Sequence, residues 1–373
     1  MASERTPSPA TALIAPEALQ VAVAALLAWY DAERRDLPWR QTRDPYRIWL
    51  SEVLLQQTQV ATALPYYARL VERYPTVEAL AASDLNELLA LWQGLGYYAR
   101  ARSLRRAAQQ IVAQHGGRLP QDYEALLALP GIGEYTAGAV LSIAFGLPTP
   151  AIDGNVRRVL ARLFDLAKDL RTPEMQRWLT MASLAMLPPE RAGDYNQAMM
   201  ELGASLCRPR DAACGACPLR QACLAHDRGT ASDRPVRPPR RQTPTHERVA
   251  AHCLDNDRLL IVRRLPSGLL GGLWELPNFA LPPNAAPTAA LQMALAPHAP
   301  DALPGEELTL VRHAYTHFSV RVHVLACTLT GFVPSGEWDA CHWLALDELE
   351  RYGLTGVALK AMRQGPWLAP RLL

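Results

Sequence analysis

The sequence predicts two folded domains of different class: an all-α domain over residues 15–226, then a smaller α/β domain over residues 248–365. Three observations predict this. Across the first segment apolar residues recur at helical spacing, short Gly, Pro, Asp and Thr breaks separate the runs, and strand signals are weak. Residues 227–247 (DRGTASDRPVRPPRRQTPTHE) are rich in Pro and Arg and almost devoid of large apolar side chains, the composition of a linker. Beyond them, short runs alternate with period two, as in Val320, Val322 and Val324.

The elements follow in order. Helical spacing covers residues 45–58, 98–115, 134–145, 155–164 and 195–206, with a short helix over 123–128. A cysteine-rich loop closes the first domain. In the second, strands are expected over 249–253, 258–263, 309–311, 319–329 and 341–344, and helices over 288–296 and 345–352. The apolar stretch 21–29 is too short to span a bilayer, and the polar, Pro-rich start does not resemble a signal peptide. The expectation is a soluble intracellular protein with no membrane association, whose thiols stay reduced. The formal net charge of +2 says little, but its distribution says more. No Asp or Glu occurs from Leu88 to Gln121, where Arg100, Arg102, Arg105, Arg106 and Arg118 fall beside Tyr97 and Tyr98. Such a patch suits a phosphate backbone, or a plain solvated helix face.

Two local motifs carry chemistry. Cys207, Cys214, Cys217 and Cys223 form a C-x6-C-x2-C-x5-C run within 17 residues. Structural zinc sites usually show two short knuckles, and here only one exists, so the run favours an iron–sulfur cluster, with zinc or a disulfide pair as the alternatives. Leu129-Pro130-Gly131-Ile132-Gly133 lies between the short helix and the helix that starts at Glu134. Gly131 and Gly133 permit a tight turn, and the following helix points free N–H groups outward, a site for an anion such as a DNA phosphate. An ordinary inter-helix turn would read the same way.

LPGIG, a helix, Ile152-Asp153-Gly154-Asn155 opening another helix, then four cysteines: in that order the chain resembles the endonuclease III superfamily of helix–hairpin–helix DNA glycosylases. Within it the chain resembles the MutY, or adenine-DNA-glycosylase, branch. The resemblance runs from Leu37 to Cys223 and includes LPWR (37–40), WLSEVLLQQTQV (49–60) and GLGYYARAR (94–102). It implies a [4Fe–4S] cluster on the four cysteines. It also implies a monomeric, cytoplasmic, nucleoid-associated repair enzyme of bacterial type, acting on double-stranded DNA that carries adenine opposite 8-oxoguanine or guanine.

The implied chemistry needs two carboxyl groups in different states. Adenine is a poor leaving group and requires a proton donor, while the sugar turns oxocarbenium-like and requires a fixed carboxylate. Glu52 sits in a strongly apolar helix, where burial raises its pKa and keeps it protonated. Asp153 sits at a helix N-terminus, which favours the charged form. By resemblance Glu52 is the acid, Asp153 the electrostatic or nucleophilic partner, and Tyr135 and Asn155 orienting groups. Asp153 could equally be an N-cap. Bifunctional relatives use a lysine where Tyr135 stands; the chain's only lysines are Lys168 and Lys360, which argues for a monofunctional glycosylase. Also by resemblance, Gln57 and Tyr97 wedge into the DNA stack, and Arg40, Trp39, Leu55 and Gln197 surround the flipped adenine.

The C-terminal half resembles the MutT-like (Nudix-type) domain of the same family, marked by Gly271-Gly272-Leu273-Trp274-Glu275-Leu276-Pro277. Residues 276–300 contain no Asp, Glu, Lys or Arg, so the carboxylates of a hydrolytic Mg²⁺ site are missing. The domain is expected to recognise 8-oxoguanine, through Tyr315, Thr316 and His317 where the family has Phe-Ser-His. The rival readings are an endonuclease III-type glycosylase/lyase on oxidised pyrimidines, a silent DNA-binding protein and a nucleotide-pool hydrolase.

Overall fold

The structure is a computed structural model that describes residues 13–236 and 243–364. Twelve helices come first: α1 (Pro16–Glu33), α2 (Pro45–Leu55), α3 (Val60–Arg73), α4 (Val77–Ala81), α5 (Leu85–Leu91), α6 (Ala99–His115), α7 (Tyr123–Leu127), α8 (Glu134–Phe145), α9 (Gly154–Leu163), α10 (Pro173–Met186), α11 (Ala192–Ser205) and α12 (Leu224–Asp227). The α/β part follows: β1 (Thr245–Asp255), β2 (Arg258–Arg264), β3 (Trp274–Glu275), β4 (Asn278–Ala280), α13 (Pro287–Leu295), β5 (Leu303–Ala314), β6 (Ser319–Thr328), β7 (Trp338–Leu344) and α14 (Gly356–Gln364). Packing divides the chain into two units. One takes the chain up to Ala81 and from Arg106 to the linker; the other takes Ala82–Arg105 and the chain after the linker.

In the first unit, α2 starts where Asp44 caps it, its carboxylate accepting the Tyr46 N–H at 2.9 Å, with Pro45 in the first turn. Residues from Tyr46 to Leu54 are apolar almost all round, so this helix is buried on nearly every side. It stops at Leu55, short of the expected Thr58, because Gln56 leaves the helical region at ψ +111° and Gln57 then adopts φ +57°. α1, α9, α10 and α11 build the main core around Leu26, Tyr30, Leu160, Phe164, Leu179 and Leu202. Two features fix the loop that leads from α8 to Asp153. Gly138 lets α8 lie against that loop, since a Cβ there would fall 2.1 Å from the Pro150 carbonyl oxygen. Asn196 of α11 staples it: its amide donates to Ser142 Oγ and the Thr149 carbonyl, both at 2.8 Å, and its oxygen accepts the Ala151 N–H at 3.0 Å. Asn196 is 1% exposed. Asn196→Ala therefore leaves buried backbone groups unpaired and is expected to cost about 3 kcal/mol. A thermal melt checks this; an unchanged midpoint would show that the staple carries no stability.

The linker composition proves a poor guide for residues 227–236. These fold onto the helical unit, where Asp165 accepts Thr230 Oγ1 at 2.7 Å and pairs with Arg228 at 3.1 Å and Arg234 at 2.8 Å. The arginines that make the segment look solvated are the groups that anchor it. Residues 237–242 lie outside the described residues.

In the second unit, the sheet order is β3-β2-β1-β6-β5, with β4 also pairing β1 and β7 pairing β2. β1 and β6 run parallel over nine residue pairs, from Thr245↔Ser319 to Cys253↔Cys327, and the other pairings are antiparallel. Alternate residues feed two cores. Leu259 and Ile261 face the α14 side with Val320 and Val322, while Leu260 and Val262 face the α13 side with Leu291 and Leu295. The helix expected over 345–352 is a 3₁₀ turn (Leu346–Arg351), and α14 follows it. Three of the five arginines of the acid-free stretch are spent on structure. Arg100 donates to the Gly96 carbonyl, Arg102 to the Gly271 carbonyl at 2.7 Å and Arg105 to the Ser83 carbonyl at 2.8 Å. For these three the phosphate-binding reading gives way to loop fixation.

Candidate active site

The site is assembled from α2, α8, the N-terminus of α9, α11 and the turn after α1. Glu52 projects from the buried α2 and is 4% exposed. Burial pushes its pKa up to about 7; the Tyr135 hydrogen bond and the Arg40 charge pull down, and the Asp153 charge pushes up. The phenol of Tyr135, from α8, donates to Glu52 Oε2 in a short hydrogen bond. Burial, first of all, holds that phenol well above its ordinary value, so it stays a donor.

Asp153 caps α9, its Oδ1 accepting the Val156 N–H at 2.7 Å. Its Oδ2 accepts the Asn155 amide at 2.9 Å. Asn155 in turn accepts Arg158 at 2.8 Å, and Arg158 donates to the backbone carbonyls of Cys207 and Gly203, each at 2.8 Å. The expectation of a depressed Asp153 pKa is corrected. Burial is the largest influence and raises it, against the opposing bonds from Val156 and Asn155. The N-cap acts in the expected sense but does not outweigh desolvation. The capping and the carboxylate readings coexist in one residue.

Glu52, Tyr135, Asp153 and Asn155 all line one cavity of about 1050 Å³, and Trp39, Arg40, Leu55, Gln57 and Gln197 line it too. Trp39 is buried edge-on to Tyr67, with ring centroids 5.2 Å apart. Neither lysine contributes: Lys168 is exposed and paired with Glu174 at 3.0 Å, and Lys360 belongs to α14, where it donates to the Arg312 carbonyl. The sequence reading missed Glu201. It lies one helical turn beyond Gln197 on the same face of α11, and that i, i+4 spacing was the available signal.

Gln57 is exposed and Tyr97 is 45% exposed, with φ values of +57° and +50°. Non-glycine residues held in this region carry strain of about 1 kcal/mol or more, which persists where the fold imposes it and clusters at functional sites. Gly131 also requires its positive φ of +79°, whereas Gly133 is extended and has no protein atom within 4 Å of where a Cβ would lie. The N-terminus of α8 at Gly133 has no side-chain cap. In the second unit, Tyr315, Thr316 and His317 form the β5–β6 hairpin loop, closed by the Tyr315 N–H donating to the Phe318 carbonyl at 2.8 Å. Thr316 and His317 are exposed, and Thr316 Oγ1 lies 3.1 Å from Tyr97 Oη.

Cys207, Cys214, Cys217 and Cys223 are half-buried free thiols. Burial raises the thiol of Cys217, and Cys207, Cys223 and Cys214 each raise it further, so the four share one electrostatic neighbourhood. Arg162 of α9 donates to Cys207 Sγ at 3.3 Å and to the Arg208 carbonyl at 2.7 Å. Among the described residues, no group of three or more His, Cys, Asp or Glu that could hold a single metal ion is present. None of the described helices is long and apolar enough to cross a membrane.

Comparison with known proteins identifies the family. Residues 50–182 match the model of the HhH-GPD superfamily base excision DNA repair protein, and residues 249–364 match that of the NUDIX domain. The adenine DNA glycosylase of Rattus norvegicus is 36% identical over 91% of this chain and 76% of its own length. That of Homo sapiens is 34% identical, covering 91% and 73%, and that of Mycolicibacterium smegmatis 39% identical, covering 64% and 80%. Among solved structures, a thermostable thymine-DNA glycosylase is 28% identical over 57% of this chain and 98% of its own, with a TM-score of 0.52. A non-covalent endonuclease III–DNA complex is 25% identical over 58% and 98%, with a TM-score of 0.50. The chain, an enzyme with a helical HhH-GPD domain and a NUDIX domain, belongs to the adenine DNA glycosylase family of base excision repair.

Proposed function

We propose that this chain removes adenine opposite 8-oxoguanine or guanine by hydrolysing the N-glycosidic bond, without an accompanying strand-cleaving lyase step. One observation carries the reading: a buried Glu52, whose pKa burial raises to about 7, and the N-capping Asp153 open onto a single cavity large enough for a flipped nucleoside. In this reading Trp39, Arg40, Leu55 and Gln197 enclose the base. Glu52 passes its proton to the departing adenine, and Tyr135 holds the carboxyl in line. Asp153 faces the positive charge that develops on the sugar, steadied by Asn155. With no lysine in the cavity, the Schiff base of a lyase has no amine to form it, which counts against the endonuclease III-type alternative. Gln57 and Tyr97 fill the gap in the stack, and Gly131 and Gly133 let a phosphate approach the α8 N-terminus.

The proposed division is a catalytic domain over residues 15–226 less Ala82–Arg105, which pack with the second unit, a linker within 227–247 whose first residues fold onto the helical unit, and a MutT-like domain over 248–365. In the latter, the Glu275 carboxylate is engaged by Arg264 at 2.7 Å and by Trp338 Nε1 at 3.1 Å. With α13 uncharged, recognition rather than hydrolysis suits this domain. Thr316 and His317 would read the 8-oxoguanine, with Tyr315 supporting the loop. Cys207, Cys214, Cys217 and Cys223 would hold a [4Fe–4S] cluster, whose four irons each take one thiolate, so the sulfurs need not converge on one point. When bound, the cluster stiffens the loop that meets DNA. Iron and sulfide analysis of anaerobically purified protein is expected to give about four of each per chain. One zinc and no sulfide would replace the cluster by a structural metal. A cytoplasmic, monomeric enzyme bound to the nucleoid completes the reading.

Base release compared across duplexes tests the substrate. Adenine opposite 8-oxoguanine is expected to react faster than adenine opposite guanine, with the advantage reduced about tenfold when Thr316 and His317 are both replaced by Ala. Equal rates on both mispairs, unaffected by those changes, would remove the recognition role. Release of an oxidised pyrimidine instead of adenine would overturn the reading.

A further inference from the structure

The carboxylate of Glu201 has no place in the acid–base scheme above, yet it is 2% exposed and lines the same cavity. Arg35 grips it with both arms of its guanidinium, Nε at 2.6 Å and Nη2 at 2.8 Å. Arg40 donates through Nη2 at 2.7 Å to Oε2, the oxygen that also accepts Arg35 Nη2. A buried carboxylate is costly unless it is paired and fully hydrogen-bonded, and these three bonds meet that condition. Burial works to raise Glu201, and the two arginines more than offset it, leaving the group ionised.

Arg40 is held from three sides: by Glu201, by the Arg35 carbonyl oxygen at 3.1 Å, and by the ring of Tyr30, whose centroid lies 5.4 Å from its guanidinium carbon. The groups facing Glu52 are Tyr135 from α8, Asp153 from the α9 N-terminus and Arg40 from the turn after α1. Arg157 and Arg158 of α9 line the same cavity. The groups facing Glu201 are Arg35 and Arg40, with Tyr30 of α1 beside them. Arg35, Arg40 and Glu201 together carry one net positive charge.

We infer that Glu201 is a positioning residue with an electrostatic duty: it fixes Arg40 on the cavity wall and cancels enough arginine charge to keep Glu52 protonated and able to donate. Without it the Arg40 guanidinium that faces the acid would lose its counter-charge, with Arg35 left unpaired on the wall of the same cavity, and the added positive field would stabilise the Glu52 carboxylate and remove the proton that the leaving adenine needs. The same pairing leaves Arg40 rigid enough to meet the base from one direction.

This rests on Glu52 being the acid, so the test runs wild type, Glu52→Gln, Glu201→Gln, Arg35→Gln and the Arg35→Gln/Glu201→Gln double variant together. Single-turnover adenine release is followed across pH. Wild-type rates fall on the alkaline side as Glu52 ionises. In Glu201→Gln that limb is expected to move about one unit toward acid, roughly a tenfold loss at alkaline pH. In Arg35→Gln, which removes a positive charge and keeps Glu201, it moves the opposite way. The double variant, with its net charge restored, returns toward the wild-type limb. Arg35 is half-exposed at its side chain, so its variant supplies a direction even if Glu201→Gln fails to fold. A uniform loss of rate with the limb unmoved in both single variants makes Glu201 structural only and overturns the inference. Base release by Glu52→Gln at the wild-type rate overturns the acid assignment itself.

Discussion

Glu52→Gln is expected to abolish adenine release, by about 10²- to 10⁴-fold in single turnover, while lesion-duplex binding survives. Gln keeps the size of the side chain and can accept the Tyr135 hydroxyl, so the change removes the proton and little else. Stability should move the other way. With its folded pKa raised to about 7 from 4.5, Glu52 binds a proton more tightly in the folded state than in the unfolded one. The folded state therefore loses stability as pH rises from about 4.5 through 7, because a buried carboxylate then has to ionise. Gln does not ionise. At pH 8 the variant should melt higher than wild type, by about 1–3 kcal/mol, with the gain vanishing below about pH 5. Activity lost and alkaline stability gained, in one substitution, would mark a functional acid held at a stability cost. An inactive variant that also melts lower at pH 8 would indicate a packing role.

Asp153→Asn is expected to reduce the rate by about 10²- to 10³-fold. Asn still offers an oxygen to the Val156 N–H, so α9 keeps its cap and the substitution isolates the charge. A second readout comes from the coupling between the two carboxyls. Asp153 raises Glu52, so its neutralisation should shift the alkaline limb of the pH–rate profile toward acid. The acid limb of wild type reports the ionisation that Asp153 must undergo, and burial sets it above the ordinary aspartate range. Because the two groups interact, both limbs belong to the pair. Near-wild-type release by Asp153→Asn, with neither limb moved, would leave Asp153 as an N-cap alone.

The sequence carried what local pattern can carry. Glu52 among Ile48, Trp49, Leu50, Val53 and Leu54 announces a buried acid, because a helix apolar all round has nowhere to put a charge. The four cysteines and the LPGIG turn are equally local, and α8 begins and ends where its spacing placed it. What escaped depends on distant partners. The balance at Asp153 turned on desolvation, which no neighbour in sequence reports. Arg102 read as part of a basic patch, for phosphate or for solvent, and neither reading foresaw the Gly271 carbonyl 169 residues away. Glu201 looked like any helical glutamate until Arg35, more than 160 residues earlier, closed on it. Ala82–Arg105 carries the same helical spacing as its neighbours, yet it packs with the sheet unit: Trp274 Nε1 reaches Asn86 at 3.4 Å, and the Leu354 N–H reaches Gln93 at 3.0 Å. Periodicity fixes an element's type and says nothing about which core takes it.

The most direct measurement is single-turnover reaction of the purified chain with a duplex holding one adenine opposite 8-oxoguanine, with products resolved before and after alkali. Adenine release that leaves the strand intact until alkali is added is the predicted result, as it must be where Glu52 and Asp153 act and no lysine lines the cavity. Strand cleavage without alkali, or an imine trapped by borohydride, would contradict the account and require an amine nucleophile in its place.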